Sequence, residues 1–262
     1  MLSITSAQLS MWLALFLFPF SRIMALIASS PVLGNKQVPV RVKIGMGLLL
    51  TVIIAPTLPV QPVIDPASSL GLLVLLQQVL AGLAIGFTMR LIFVAVEMSG
   101  EFAGMQMGLG FASFFDPLNA SFTPVLAQFL GVVATLAFLA MDGHLYMLAA
   151  LADSFNTFPI SSAVPQALAL HTLAAWGGSL FAHALQLAMP VIGALLITNL
   201  ALAILTRSAP QLNILQIGFP ITLAVGFAAL ALSLPYLAPL MEQATHASLN
   251  IVSLVMQQLG KH

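Results

Sequence analysis

From Ser154 to Thr206 the chain contains not one Asp, Glu, Lys or Arg. No other feature narrows the possible folds as much. A helix that is apolar on all sides belongs in a membrane or in the interior of a large assembly. The pattern recurs along the chain. Met1–Ser21, Ile44–Ile64, Ala67–Met89, Leu118–Met141 and Ser208–Met241 also lack formal side-chain charge. Only 5% of residues are charged and 60% are apolar, with a mean hydropathy of +1.09, whereas soluble domains carry about 25% charged residues. The fold expected is an all-α integral membrane protein built of kinked helical hairpins. Met1–Ser30 reads as a retained membrane segment. No Lys or Arg precedes its apolar run, and no small-residue cleavage site stands out.

Prolines, glycines and the few charges divide the rest. Pro19 should kink the first segment. Arg22 lies deep within it, and either snorkels to an interface or pairs with a carboxylate inside a complex. Pro31–Lys43 is a basic loop carrying Lys36, Arg41 and Lys43, placed on the cytoplasmic side by the positive-inside rule. Pro56, Pro59, Pro62 and Pro66 surround Asp65 in a loop with no Lys or Arg. The apolar run from Ala67 is expected to stay helical to about Gly104. Asp142-Gly143-His144 is a turn before a short helix to about Phe155, and Pro159–Pro165 is a linker. A helix over Gln166–Thr206 exceeds a bilayer's thickness unless it tilts, kinks at Pro190 or packs in an assembly. Arg207, Pro210 and Asn213 mark the turn of a long hairpin. Its second arm is broken at Pro220, Pro235 and Pro239 and closes with an amphiphilic helix to about Gln258.

The most unusual stretch is Val96–Pro117, VEMSGEFAGMQMGLGFASFFDP. Gly100, Gly104 and Gly108 form a small-xxx-small ridge that lets another backbone approach. Gly108-Leu109-Gly110-Phe111 then breaks helix propensity, and Asp116-Pro117 signals a turn. Arg90, Glu97 and Glu101 stand at i, i+7 and i+11. At 100° per residue both carboxylates fall within about 20° of Arg90's direction, so the three share one face. A charged stripe on so apolar a helix must face protein or water. It reads as a buried charge lock to neighbouring helices, an ion relay, or a stripe at the membrane surface.

Chemical motifs are scarce. No phosphate loop or HExxH zinc motif occurs, and Gly108-Leu109-Gly110 lacks the third glycine of a dinucleotide motif. Asp142, His144 and Asp153 are too loosely spaced for a metal site and read as loop caps. His171 and His183 read as core or interface residues. With no cysteine, no disulfide or thiolate chemistry is possible. A formal net charge of zero argues against nucleic acid as a ligand. The expectation is a non-enzyme with no cofactor and no metal. An ion-coupled secondary transporter using Glu97 and Glu101 is the alternative.

Several motifs in order carry a resemblance. They are Arg22 with Ser30-Pro31-Val-Leu-Gly34, Val38-Pro39 and Arg41; Glu97-Met-Ser-Gly-Glu101-Phe-Ala-Gly-Met-Gln106-Met-Gly108 with Phe111-Ala112 and Asp116-Pro117; Asp142-Gly-His144 with Ser154-Phe155 and Pro159; and Arg207-Ser-Ala-Pro210-Gln-Leu-Asn213 with Gly218-Phe-Pro220. Over essentially its whole length the chain resembles the FliR family of flagellar type III export-gate proteins. Asp142 and Leu212 depart mildly from the family pattern, where Asn and Met are expected. The resemblance implies a multi-pass protein of the bacterial inner membrane and flagellar basal body. One copy would join several copies each of FliP and FliQ, with FlhB and FlhA, in a helical gate that passes unfolded flagellar substrates and rod proteins. It implies a FliP-like part over 1–160 and a FliQ-like hairpin over 161–262. It also implies that Gln106, Met107, Gly108, Leu109, Gly110, Phe111, Ala112, Ser113, Phe114 and Phe115 form a loop that plugs the closed channel. Apolar side chains can seal a pore by packing and dewetting.

Overall fold

The computed structural model describes residues 6–58, 64–111, 124–161, 166–209 and 214–260. Every regular element among them is a helix: α1 (Ser6–Ser29), α2 (Val40–Ile54), α3 (Ser69–Gln106), α4 (Val125–Ala140), α5 (Gly143–Thr157), α6 (Ala167–Ser208), α7 (Ile214–Ser233) and α8 (Leu237–Gly260), with 3-10 turns at Ala55–Thr57, Leu109–Phe111 and Leu234–Tyr236. Five stretches among the described residues are long and apolar enough to cross a membrane, and six if α4 and α5 count as one broken span. The all-α membrane reading of the sequence therefore stands.

Two boundaries differ from the sequence reading. The basic loop ends at Pro39, which precedes α2, so Arg41 and Lys43 lie in that helix rather than before it. Proline's fixed φ suits the approach to a helix, and its missing N–H is no loss there. Lys43 reaches back to donate to the Gly34 carbonyl at 2.9 Å. Asp142 does not cap α5 with its side chain. It sits in the left-handed region at φ 56°, and its backbone carbonyl accepts from Leu145 N and Tyr146 N. Pro19, Pro190 and Pro220 lie inside α1, α6 and α7. Pro235 falls in the 3-10 turn that divides α7 from α8.

The chain forms two compact units. The first draws on residues 1–91, 142–177 and 245–262. In it α2 packs on α1 where Gly47 leaves room for Met24 and Phe20. α3 crosses α1 closely at Gly82 and Gly86. A Cβ at Gly82 would collide with the Arg22 carbonyl oxygen, and one at Gly86 with the Ser29 hydroxyl. This is small-xxx-small packing, four residues apart on α3. Thr172 Oγ1 donates to Gln258 Oε1 at 2.8 Å, setting the start of α6 beside the end of α8 as an antiparallel hairpin requires.

The second unit draws on residues 92–141 and 178–244. Its centre is an antiparallel crossing of α3 and α4. Phe93 meets Phe138 edge to face at 5.2 Å, Glu97 lies over Gly131, and Gly100 lies against the backbone of Leu126 and Ala127. On α4 the buried residues Ala127, Leu130, Ala134 and Phe138 recur at helical spacing and form the face turned to that crossing.

Candidate functional site

Arg22 is completely buried. Its guanidinium has five N–H donors and no acceptor, and it keeps its charge. Each of its nitrogens finds an oxygen. Nε donates to Gln78 Oε1 at 2.9 Å, and Nη2 donates to the same oxygen. Nη1 donates to the Ser154 carbonyl at 2.8 Å and to Ser154 Oγ at 3.2 Å. Nη2 also donates to the Phe158 carbonyl at 2.8 Å. The Phe155 ring faces the cation at 4.2 Å and the Phe158 ring at 5.3 Å, within reach of the ring quadrupoles. Ser154 lies in the last turn of α5 and Phe158 caps it, Phe158 N donating to the Ser154 carbonyl at 2.9 Å; at this end of a helix the dipole favours a cation. Arg22 thus binds α1, α3 and the end of α5 together. The sequence reading offered snorkelling or a carboxylate partner. The side chain instead stays inside, among neutral acceptors.

The charged stripe of α3 is placed differently. Arg90 and Glu97 are exposed on the chain and Glu101 is half-buried. The burial expected for a charge lock is therefore not supplied by this chain's own fold. Glu97 is nonetheless held along α4 at Gly131, where a Cβ would come within 3.0 Å of its Oε1.

The glycine ridge divides by position. A Cβ at Gly100 would stand 2.8 Å from Ala127 Cα, too close for any side chain to fit. A Cβ at Gly104 would meet nothing nearer than 3.8 Å, an ordinary contact. Gly108 ends the helix at φ 82° rather than continuing the ridge, the left-handed position where glycine costs least. Of the expected plug, Gln106 is the last residue of α3. Met107 is fully buried, with Thr222 Oγ1 3.5 Å from its carbonyl and the open side of Gly226 against its side chain. Leu109–Phe111 forms a 3-10 turn. Ala112, Ser113, Phe114 and Phe115 lie outside the described residues.

Arg207 lies exposed in the last turn of α6, while Pro210 and Asn213 fall outside the described residues. His171 and His183 are exposed on the chain. No group of three or more His, Asp or Glu among the described residues could hold a metal ion. Sequence reasoning missed three features: the Arg22 cage, the Gly82–Gly86 crossing and the Met107 seat. Only the Gly82 and Gly86 spacing was visible as a pattern.

Five or more long apolar helices among the described residues define the class as a multi-pass helical membrane protein. Comparison with known proteins makes it particular. The family described as "Bacterial export proteins, family 1" matches residues 13–248. The chain is 44% identical to the flagellar biosynthetic protein FliR of Pectobacterium carotovorum subsp. carotovorum, over 99% of each chain. It is 42% identical to FliR of Escherichia coli strain K12, over 99% of each. It is 31% identical to FliR of Bacillus subtilis strain 168, over 81% of this chain and 83% of that one. The chain belongs to this family of bacterial export proteins, that of FliR.

Proposed function

We propose that this chain is a subunit of the flagellar type III protein export gate in the bacterial inner membrane. It works there with FliP and FliQ, alongside FlhB and FlhA, in the channel that passes unfolded flagellar proteins. Gln106–Phe115 closes that channel as a plug. The observation that carries the reading is the whole-length relationship to flagellar biosynthetic proteins. The dimensions of α6 support it. Its 42 residues span about 63 Å at 1.5 Å per residue, about twice the ~30 Å hydrocarbon core. Only 17% of its most apolar window is buried within the chain. That surplus length needs protein beside it, and neighbouring subunits would enclose the stripe of Arg90, Glu97 and Glu101 as a charge lock. In this reading 1–160 is a FliP-like part and 161–262 a FliQ-like hairpin, a division that the two compact units do not follow.

The test is a gentle detergent pull-down of tagged protein from its native membrane, read by native mass spectrometry. Recovery with several copies of FliP and FliQ is expected. Recovery as a lone chain, with ion-dependent uptake lost in Glu97→Gln or Glu101→Gln, would replace the gate with a secondary transporter.

A further inference from the structure

The first 64 residues carry Arg22, Lys36, Arg41 and Lys43 and not one Asp or Glu. Arg22 is enclosed by neutral oxygens. The other three cations fall together where α1 gives way to α2. Lys43 is used internally, on the Gly34 carbonyl. Lys36 and Arg41 are exposed, and no hydrogen bond or ion pair engages either side chain among the described residues. The turn that leads to α2 is pinned in place. Gly34 N donates to the Ser30 carbonyl at 3.1 Å, Val38 N to the Asn35 carbonyl at 3.1 Å and Gln37 N to Asn35 Oδ1 at 2.9 Å. A Cβ on Gly34 would collide with the Ser30 carbonyl oxygen, so the turn fits closely under the end of α1. Two cations held there without a counter-charge call for an anion from outside the chain.

The surface below them is apolar and open. With its 3-10 turn, α2 makes a candidate span of 18 residues, Val40–Thr57, only 11% buried. That is about 27 Å at 1.5 Å per residue, close to the ~30 Å hydrocarbon core. Gly47 and Thr51 are the buried residues of α2. Leu48 and Val52 follow Arg41 at i+7 and i+11, within about 20° of its direction on the helix. Leu48 is 41% exposed and Val52 62%. Gly45, one turn after Arg41, leaves a shallow place on that side, where a Cβ would meet nothing within 4 Å. An arginine heading an apolar stripe matches a ligand with an anionic head and an apolar tail. The planar guanidinium suits a phosphate, and basic residues at the edge of a span attract anionic lipid. A protein neighbour would have to bring a carboxylate to this rim, whereas a bilayer presents phosphate at that depth throughout.

We propose that Arg41 and Lys36 bind the phosphate of an anionic phospholipid, with an acyl chain laid along Gly45, Leu48 and Val52. The ligand comes from the bilayer itself. The site depends only on α2 spanning a membrane, so it stands or falls separately from the export gate.

The chain has no cysteine, so Leu49→Cys, at a position 61% exposed and beside the stripe, gives this chain one thiol for an NBD fluorophore. The full chain, with the partners it retains on purification, is reconstituted into vesicles of phosphatidylcholine and phosphatidylglycerol. One or the other lipid carries nitroxide-labelled acyl chains, at equal mole fraction. Labelled phosphatidylglycerol should quench the fluorophore more than labelled phosphatidylcholine. Lys36→Gln and Arg41→Gln should each reduce that preference about fivefold, and Arg41→Lys should keep part of it. Both side chains are exposed and unengaged, so the variants should retain wild-type resistance to limited proteolysis. Equal quenching by the two lipids would overturn the site. So would a preference that survives in the double Lys36→Gln, Arg41→Gln variant. Quenching by neither lipid would mean that protein covers α2, and the lipid site fails.

Discussion

Arg22 is where one side chain governs most of its surroundings. The groups it satisfies lie 56, 132 and 136 residues away along the chain. Removing it would take the guanidinium donors from the Phe158 carbonyl and the Gln78 amide oxygen, while the Ser154 carbonyl keeps its bond from Phe158 N at 2.9 Å. Arg22→Ala should cost about 1–3 kcal/mol for each neutral acceptor it leaves buried and unpaired. The chain should then accumulate poorly, measured by its level in membranes and its resistance to limited proteolysis. Arg22→Lys should recover only part of this. An ammonium has three donors and cannot bridge Gln78 and the two carbonyls in one plane. Wild-type protease resistance in Arg22→Ala would mean that the cage contributes nothing to stability. The sequence marks Arg22 as an anomaly in an apolar helix. It cannot name the partners, because two of them are backbone carbonyls that any residue could offer.

Among the helices, close approach is decided by which glycines face another backbone. Gly82 and Gly86 bring α1 against α3, and Gly100 brings α3 against α4. Gly100→Leu should force α3 and α4 apart and prevent assembly, read by loss of the complex on native gels. Gly104→Ala should be tolerated. Its Cβ fits at 3.8 Å, and a helical Gly→Ala change removes about 0.5–1 kcal/mol of entropic cost. Gly82→Val should be as damaging as Gly100→Leu, since its side chain would meet the backbone of α1 at Arg22. Equal behaviour of the Gly100 and Gly104 variants would remove this distinction. Spacing alone displays the ridge at 100, 104 and 108, yet its three glycines do different things. One is a close crossing, one a loose contact and one a turn at positive φ. The difference lies in what stands opposite, which one strand of text does not contain.

Across the whole chain, apolar surface stays uncovered. The most apolar windows of α2, α6 and the α7–α8 stretch are 11%, 17% and 17% buried, against 61% for α3. Exposed apolar faces of that extent mark contact with lipid or protein. Expressed without its proposed partners FliP and FliQ, the chain should be degraded or aggregate in detergent, and co-expression should rescue it, measured by size-exclusion profile and half-life. A monodisperse, long-lived single chain would argue that lipid suffices. What the sequence by itself determined is the solvent and the kind of element. Charge-free runs set the helices in an apolar medium, and Pro39, Pro235 and Gly108 stand where helices begin, break and end, because these are local properties of backbone and side chain. What only the tertiary structure decided is which polar and small residues meet. Arg22 closes on neutral oxygens far along the chain, Met107 fills the space that Gly226 leaves, and Arg90 and Glu97 stay exposed. Those outcomes depend on how helices cross, and crossing is a matter of fit between surfaces, which no one helix encodes alone.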